Sequence, residues 1–172
     1  MLDELGWEHA VQDIPESGLA VERSASREEL EAVARSLELL GCRSLMARYA
    51  LTPRGSGHVY LSGTLQAQVE QSCVVTLEPL LNDVAADFKV DYWPETELPE
   101  PGGGVVDIDD AAELEPIVAG RIEVGRVVFQ ALACAIDLNP RKPGVAFEPP
   151  QDAADDRPAS PFAALAKLKD KG

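Results

Sequence analysis

Apolar and polar side chains alternate along the middle of the chain. From Val59 to Leu77 the odd-numbered positions are mainly apolar and the even-numbered positions mainly polar. Because successive side chains of a β-strand point to opposite faces, this alternation predicts a half-buried strand, or two strands in one register with a bend near Gly63. The same period predicts a strand over residues 43–52 and another over residues 84–92.

Two segments instead repeat their apolar residues at helical spacing. Residues 26–40 are predicted to form a helix, with Ser26 and Glu29 as a capping box and Gly41 as the C-terminal cap. Residues 124–136 are predicted to form a second helix, whose apolar positions cover so much of its circumference that it must be largely buried.

The segments between these elements are short or rich in turn-forming residues. We expect short strands within residues 5–23 and 105–122. A turn is expected over residues 78–83. Residues 93–104 contain so much Pro, Gly and Glu that they predict an exposed, mobile loop.

The predicted fold class is α+β, an antiparallel β-sheet packed by two helices and followed by a short C-terminal tail helix. The sheet is expected to be a bent meander or a partial barrel. Residues 1–147 are predicted to form a single domain, and residues 148–172 a linker rich in Pro and Asp that leads to the tail helix. Ser160 is the expected N-cap of that helix, with Pro161 at its first position.

The 172-residue chain carries a net charge of −15, and this charge is unevenly distributed. Residues 76–118 contain twelve Asp or Glu against one Lys, whereas residues 157–172 have a net charge of +3. A field this negative repels phosphate backbones, so broad non-specific binding to nucleic acid is not expected. The acidic region is either a solvated surface or a docking surface for a basic protein.

The composition indicates a soluble cytoplasmic protein. There is no run of about 18 apolar residues and no basic-then-apolar leader, so neither membrane insertion nor export is expected. An odd number of widely spaced cysteines is typical of a reducing compartment rather than a disulfide framework. These are Cys42, Cys73 and Cys134.

Cys73, within QSCVVTLEP at residues 71–79, is the residue that decides whether to look for an enzyme. It falls on the apolar face of the predicted strand, where a thiol behaves as a small hydrophobic group and desolvation raises its pKa. We therefore expect a structural cysteine. The two histidines, His9 and His58, lie in polar surroundings with no nucleophile nearby in sequence. No spacing typical of a zinc site occurs, and no cofactor is implied.

Three aspartates in VVDIDD form the one cluster that could hold Mg²⁺ for phosphodiester chemistry. Asp107 and Asp109 would share a face of a strand, and Asp110 follows them. The alternatives are a metal-dependent hydrolase that processes RNA and a solvated acidic edge strand.

The segment LNPRKPG, residues 138–144, brackets Arg141 and Lys142 with two prolines. Proline restricts its own backbone and that of the preceding residue, which predicts an extended, polyproline-like display of two cations. These cations either dock on an anionic surface such as RNA phosphate or pair with the acidic face of the protein itself.

The C-terminal PFAALAKLK places Phe162, Leu165 and Leu168 at helical spacing, with lysines on the remaining surface. A helix this short is marginal in water and needs a surface on which to form. It docks either on its own domain or in a groove of a partner.

In the three stretches QSCVVTLEP, NPRKPG and PFAALAKLK, and in the order of its elements, the chain resembles the YceD family of bacterial and plastid proteins. That family is named for accumulation of large-subunit ribosomal RNA. The resemblance implies a non-enzymatic ribosome biogenesis factor that supports production or stability of 23S rRNA. Its expected partners are a ribosomal protein, for which a basic one would suit the acidic region, an rRNA precursor or a processing enzyme.

The resemblance also implies which residues occupy motif positions. Structural positions are Cys73, Thr76, Leu77 and Pro79. Candidate positions for docking a partner or RNA are Arg141, Lys142, Pro143, Gly144 and Phe162. Some relatives carry a cysteine cluster near NPRKPG, but this chain has only Cys134 there, so no metal is expected.

Overall fold

The computed structural model describes residues 4–98 and 113–146. Its strands and helices, in chain order, are β1 (Glu8–Ala10), β2 (Leu19–Ser24), α1 (Arg27–Ser36), β3 (Gly41–Arg54), β4 (His58–Ser72), β5 (Pro79–Pro94), β6 (Glu113–Ile117), β7 (Arg121–Glu123) and α2 (Val124–Ala135).

The strands form two sheets. Five lie in the order β2-β3-β4-β5-β6, and β1 pairs with β7 in a separate two-stranded sheet. Every pairing is antiparallel except that between β5 and β6. This mostly antiparallel sheet with two helices agrees with the predicted α+β class. Closure into a partial barrel stays a prediction, as does the division into a domain and a tail, because residues 147–172 lie outside the described part of the chain.

The predicted apolar face of the sheet is the buried face. On β3 it carries Leu45, Ala47, Tyr49 and Leu51; on β4 Val59, Leu61, Leu65, Ala67 and Val69; on β5 Val84, Phe88, Val90 and Tyr92. These side chains belong to one hydrophobic cluster, to which both helices contribute. The period-2 pattern therefore predicted correctly which face of each strand is buried.

Gly63 accommodates two aromatic residues within a continuous strand. It lies opposite Tyr49 on β3 and Phe88 on β5. A Cβ at this position would approach Cβ of Tyr49 to 2.6 Å and Cζ of Phe88 to 2.7 Å. β4 runs unbroken through Gly63. Because glycine has no Cβ, it leaves space for the side chains of Tyr49 and Phe88.

Helix α1 begins as predicted but ends earlier. The capping box of Ser26 and Glu29 is present. The predicted cap at Gly41 is wrong, because the helix ends at Ser36 and Gly41 is the first residue of β3. Glu38 adopts the left-handed conformation (φ 53°) just after the helix, a position that glycine more often occupies. Helix α2 matches its predicted range to within one residue.

Two predicted boundaries around β5 are wrong. The turn before it spans residues 73–78 rather than 78–83, since β4 ends at Ser72 and β5 already begins at Pro79. The strand predicted from Val59 to Leu77 is therefore wrong for its last five residues. At the other end, Trp93 and Pro94 were assigned to a mobile loop but belong to β5, where they pair with β6. Pairing with β6 keeps these two residues extended, although one of them is a proline. Residues 99–104 of the predicted loop are not among those described.

The N-terminal segment lies across the start of α2. Trp7 is completely buried, and its indole N–H donates to Oε1 of Glu29 at 2.9 Å. The backbone N–H of Gly125 donates to the carbonyl oxygen of Trp7 at 3.0 Å. A Cβ on Gly125 would overlap the carbonyl group of Leu5. Gly125 is therefore required for the close approach of this segment to the helix.

We expect Gly125→Ala to destabilise the fold, although alanine favours a helix over glycine by about 1 kcal/mol. The clash with the Leu5 carbonyl should outweigh that gain, with a net loss of about 1–3 kcal/mol. Urea unfolding measures the change. Gly6→Ala is the matched control, since nothing lies within 4 Å of a Cβ there. Equal or greater stability of Gly125→Ala would contradict the packing described above.

Candidate functional site

Two of the three motif stretches meet at the end of the hairpin formed by β4 and β5. The backbone N–H of Val74 donates to the carbonyl oxygen of Pro140 at 2.9 Å. The backbone N–H of Lys142 donates to Sγ of Cys73 at 3.4 Å. We call residues 73–78 together with residues 137–142 the motif junction. The fold thus joins QSCVVTLEP to NPRKPG through direct backbone contacts.

The turn at residues 73–78 is fixed by its own hydrogen bonds. Cys73 donates its backbone N–H to the carbonyl oxygen of Glu78 and accepts from the backbone N–H of Leu77, both at 2.9 Å. The hydroxyl of Ser72 donates to the carbonyl oxygen of Leu77 at 3.1 Å. Leu77 has a φ of 60°, a conformation that L-residues rarely adopt. The turn therefore has a definite shape that its internal bonds maintain.

Gln71, a residue that the sequence did not single out, ties the junction to the sheet. It is the buried polar residue of the described chain. Its side-chain amide donates to the carbonyl oxygen of Asp137 at 2.8 Å and accepts from Asn82 at 2.9 Å. A glutamine among apolar residues on one strand face indicates a buried polar group that needs partners, and this signal was available in the sequence.

The two cations of NPRKPG have different surroundings. Nζ of Lys142 lies 2.8 Å from Oε2 of Glu78 in a half-exposed ion pair. The hydrogen bond and charge of this pair raise the pKa of Lys142 and lower the pKa of Glu78. Lys142 therefore pairs with an acidic residue of its own protein, which is the second of the two alternatives that the sequence left open. Arg141 is exposed, and its side chain has no hydrogen-bond or ionic partner among residues 4–98 and 113–146.

The chain turns back directly after Lys142. The backbone N–H of Val145 donates to the carbonyl oxygen of Lys142 at 3.2 Å, and Gly144 has a φ of 80°. Pro143 and Gly144 occupy the central positions that a type II turn favours for these residues. The expected extended segment is therefore limited to the residues around Arg141.

Cys73 is buried as predicted, but its pKa moves in the opposite direction to the one expected. The side chain is 0% exposed and yet lies outside the main hydrophobic cluster. Hydrogen bonds from the Thr76 hydroxyl, then from the backbone N–H groups of Thr76 and Lys142, lower the pKa of Cys73 to about 6. Desolvation, which raises the pKa, is a smaller effect than these hydrogen bonds. N–H and O–H donors stabilise a thiolate, and the strand pattern gave no sign of them.

The two histidines have side-chain partners outside the motif junction. Nε2 of His9 lies 2.8 Å from the Tyr49 hydroxyl, and burial lowers the pKa of His9. His58 stacks on Trp93 and lies 2.8 Å from Glu97. Within the described ranges, no group of three His, Cys, Asp or Glu residues could hold a metal ion. The predicted cluster of Asp107, Asp109 and Asp110 lies outside those ranges, as does the predicted docking residue Phe162.

Comparison with known proteins gives one match. The model of a family described as "Large ribosomal RNA subunit accumulation protein YceD" matches residues 61–169, a range that includes both segments of the motif junction. No curated protein and no solved structure gives a significant match to the chain. No helix in the described part of the chain is long and apolar enough to cross a membrane.

The lowered pKa of Cys73 makes the stability of the fold depend on pH. The ordinary thiol value is 9.0 and the folded value about 6, so the folded state favours the thiolate. This contribution is complete above pH 9 and is lost as the pH falls towards 6. Melting temperatures in reducing buffer should therefore show a difference between wild type and Cys73→Ala that widens from pH 6 to pH 9.

The lost sulfur should also cost on the order of 1 kcal/mol at every pH. Cys134→Ala, at an exposed cysteine, is the matched control. Glu78 and Lys142 do not interfere, because their pKa values move away from this window in opposite directions. Parallel melting curves for wild type and Cys73→Ala across the window would show that the sulfur is not held as a thiolate.

Proposed function

The chain belongs to the YceD family, and from this premise we propose that it is a non-enzymatic ribosome biogenesis factor that supports synthesis, processing or accumulation of 23S rRNA. The family description, which names accumulation of the large ribosomal RNA subunit, supports this role. We further propose that it acts in the cytoplasm by binding a ribosomal protein, an rRNA precursor or a processing enzyme.

The observation that carries a binding role is the internal pairing of the motif junction. The Cys73 sulfur is covered, and the donors around it belong to the junction itself. Oε2 of Glu78 accepts a hydrogen bond from Nζ of Lys142. Groups occupied in this way fix the shape of a surface, whereas catalysis needs a reactive group that reaches a substrate.

Arg141 is the proposed contact with a partner. It lies between the Pro140 carbonyl and the Lys142 N–H, both of which are hydrogen-bonded to the turn at residues 73–78. The backbone on either side is therefore held before binding, and less conformational entropy is lost when the guanidinium meets an anion. Such a contact to phosphate is local and salt-dependent, and it is compatible with a protein that repels RNA as a whole.

The acidic region over residues 76–118 is the proposed docking surface for a basic ribosomal protein. Asp83, Asp87 and Asp91 lie on one face of β5 at every fourth residue, with Ala85 and Lys89 between them. Asp91 is neutralised by Arg54 at 3.0 Å, whereas Asp87 is exposed. A surface of one sign steers an oppositely charged partner and determines orientation more than affinity.

We expect Arg141→Ala to leave the melting temperature nearly unchanged and to reduce 23S rRNA in cells that depend on the variant. Lys142→Ala removes an exposed ion pair, so it should lower the melting temperature only slightly. Thermal melting and rRNA quantification measure the two effects separately.

Arg27→Ala is the matched control, because Arg27 is an exposed arginine on α1, remote in sequence from the motif stretches. It should alter neither rRNA nor, appreciably, stability. Normal rRNA in cells with Arg141→Ala would remove Arg141 from the docking surface. A clear drop in melting temperature for the same variant would assign the arginine to the fold.

Affinity purification that identifies both bound protein and bound RNA tests the acidic surface. We expect a basic ribosomal protein whose recovery falls as salt increases. Changing Asp107, Asp109 and Asp110 to Asn should reduce recovery, whereas amide substitutions at Asp13, Glu16 and Glu28 should not. Recovery that is insensitive to salt and to the first set of changes would count against this surface.

A further inference from the structure

Three residues of the motif junction expose their apolar side chains. Leu138 is 84% exposed, Leu77 76% and Val74 46%, and the first two are the most exposed large apolar residues of the described chain. Val74 donates its backbone N–H to Pro140, which places the turn at residues 73–78 beside the segment that carries Leu138. We call Val74, Leu77 and Leu138 the apolar rim.

The exposure of Leu77 is imposed by the backbone. Its φ of 60° is unusual for a residue with a branched side chain, and hydrogen bonds on both sides of the residue hold it there. Single apolar residues on a surface are common. Three of them around the bond from Val74 to Pro140 indicate a surface to which another segment or protein binds.

The chain supplies a segment whose chemistry matches the apolar rim. Phe162, Leu165 and Leu168 form an apolar stripe at helical spacing. The described chain ends at Ala146, four residues beyond Lys142, whose N–H contacts Cys73. The 15 residues from Ala146 to Pro161 span up to about 50 Å when extended, so the apolar rim is within reach.

Charge and tethering both favour this segment over a free partner. Residues 157–172 carry +3, which leaves −18 on residues 1–156 of a chain whose total is −15. The lysines beside the apolar stripe therefore belong to a chain whose other residues are strongly acidic in sum. A tether of this length gives an effective concentration on the order of millimolar, which weak apolar contacts need.

We propose that residues 160–169 form an amphipathic helix that docks its Phe162, Leu165 and Leu168 face on the apolar rim of the same chain. All three motif stretches then contribute to one surface. The inference concerns the chain alone and does not depend on its role in rRNA accumulation.

Hydrogen exchange of the full-length protein, followed by mass spectrometry, tests the proposal. Peptides covering residues 160–169 should exchange about tenfold or more slowly than an unstructured segment, as a weakly held local element does. Leu138→Asp and Leu77→Asp should each abolish this protection, and so should Phe162→Asp. Leu138→Asp is the safer variant, since its side chain is almost fully exposed and its loss should not affect folding.

Val118→Asp is the matched control. Val118 is 48% exposed and follows β6, which pairs with the opposite end of β5. It should leave residues 160–169 protected. Unprotected residues 160–169 in the wild type, or protection that persists in both Leu138→Asp and Leu77→Asp, would overturn the proposal. Protection that increases with protein concentration would also overturn it, because a second copy would then be the occupant.

Discussion

The structure around the motif junction depends on one contact, in which Lys142 donates its backbone N–H to the sulfur of Cys73. That contact lies between the end of the β4–β5 hairpin and the segment that follows α2. A second bond, from the backbone N–H of Val74 to the carbonyl oxygen of Pro140, holds the same two segments together. Together these two bonds position the residues between and after them, including the exposed Arg141 and the ion pair of Lys142 with Glu78. A loose chain end after α2 would place none of them reproducibly.

The sequence predicted the sheet well because burial on one face imposes a period of two residues. Strands β3, β4 and β5 and the capping box of α1 follow from local patterns that need no knowledge of distant residues. The junction is different. Lys142 is 69 residues from Cys73 and 64 from Glu78, so no local pattern could pair them. The direction of the Cys73 pKa shift was predicted wrongly mainly because Thr76, the first donor to its sulfur, lies in a turn that the pattern predicts as strand. The donor Lys142 adds to the shift from the distant segment.

The junction also clarifies how an acidic protein could present a cation. Of the two neighbouring cations, Lys142 is neutralised by Glu78, whereas Arg141 has no partner among the described residues. Pairing one cation internally fixes the backbone that carries the other. A cation in such surroundings determines where an anion binds, because the acidic surface around it repels anions. This division of roles suits membership of the YceD family, in which large-subunit RNA accumulation is the named outcome.

The most direct test of the junction is a pH titration followed by NMR, with the Cys73 ¹³Cβ and the Lys142 amide observed together. If the sulfur accepts that N–H as a thiolate, both signals should titrate with one midpoint, at a pH of about 6. Thr76→Val, which removes a donor to the sulfur, should raise that midpoint. Ionisation of Cys73 near the ordinary thiol value of 9.0 would contradict the set of donors around the sulfur. A Lys142 amide that does not respond to the ionisation would contradict its contact with Cys73.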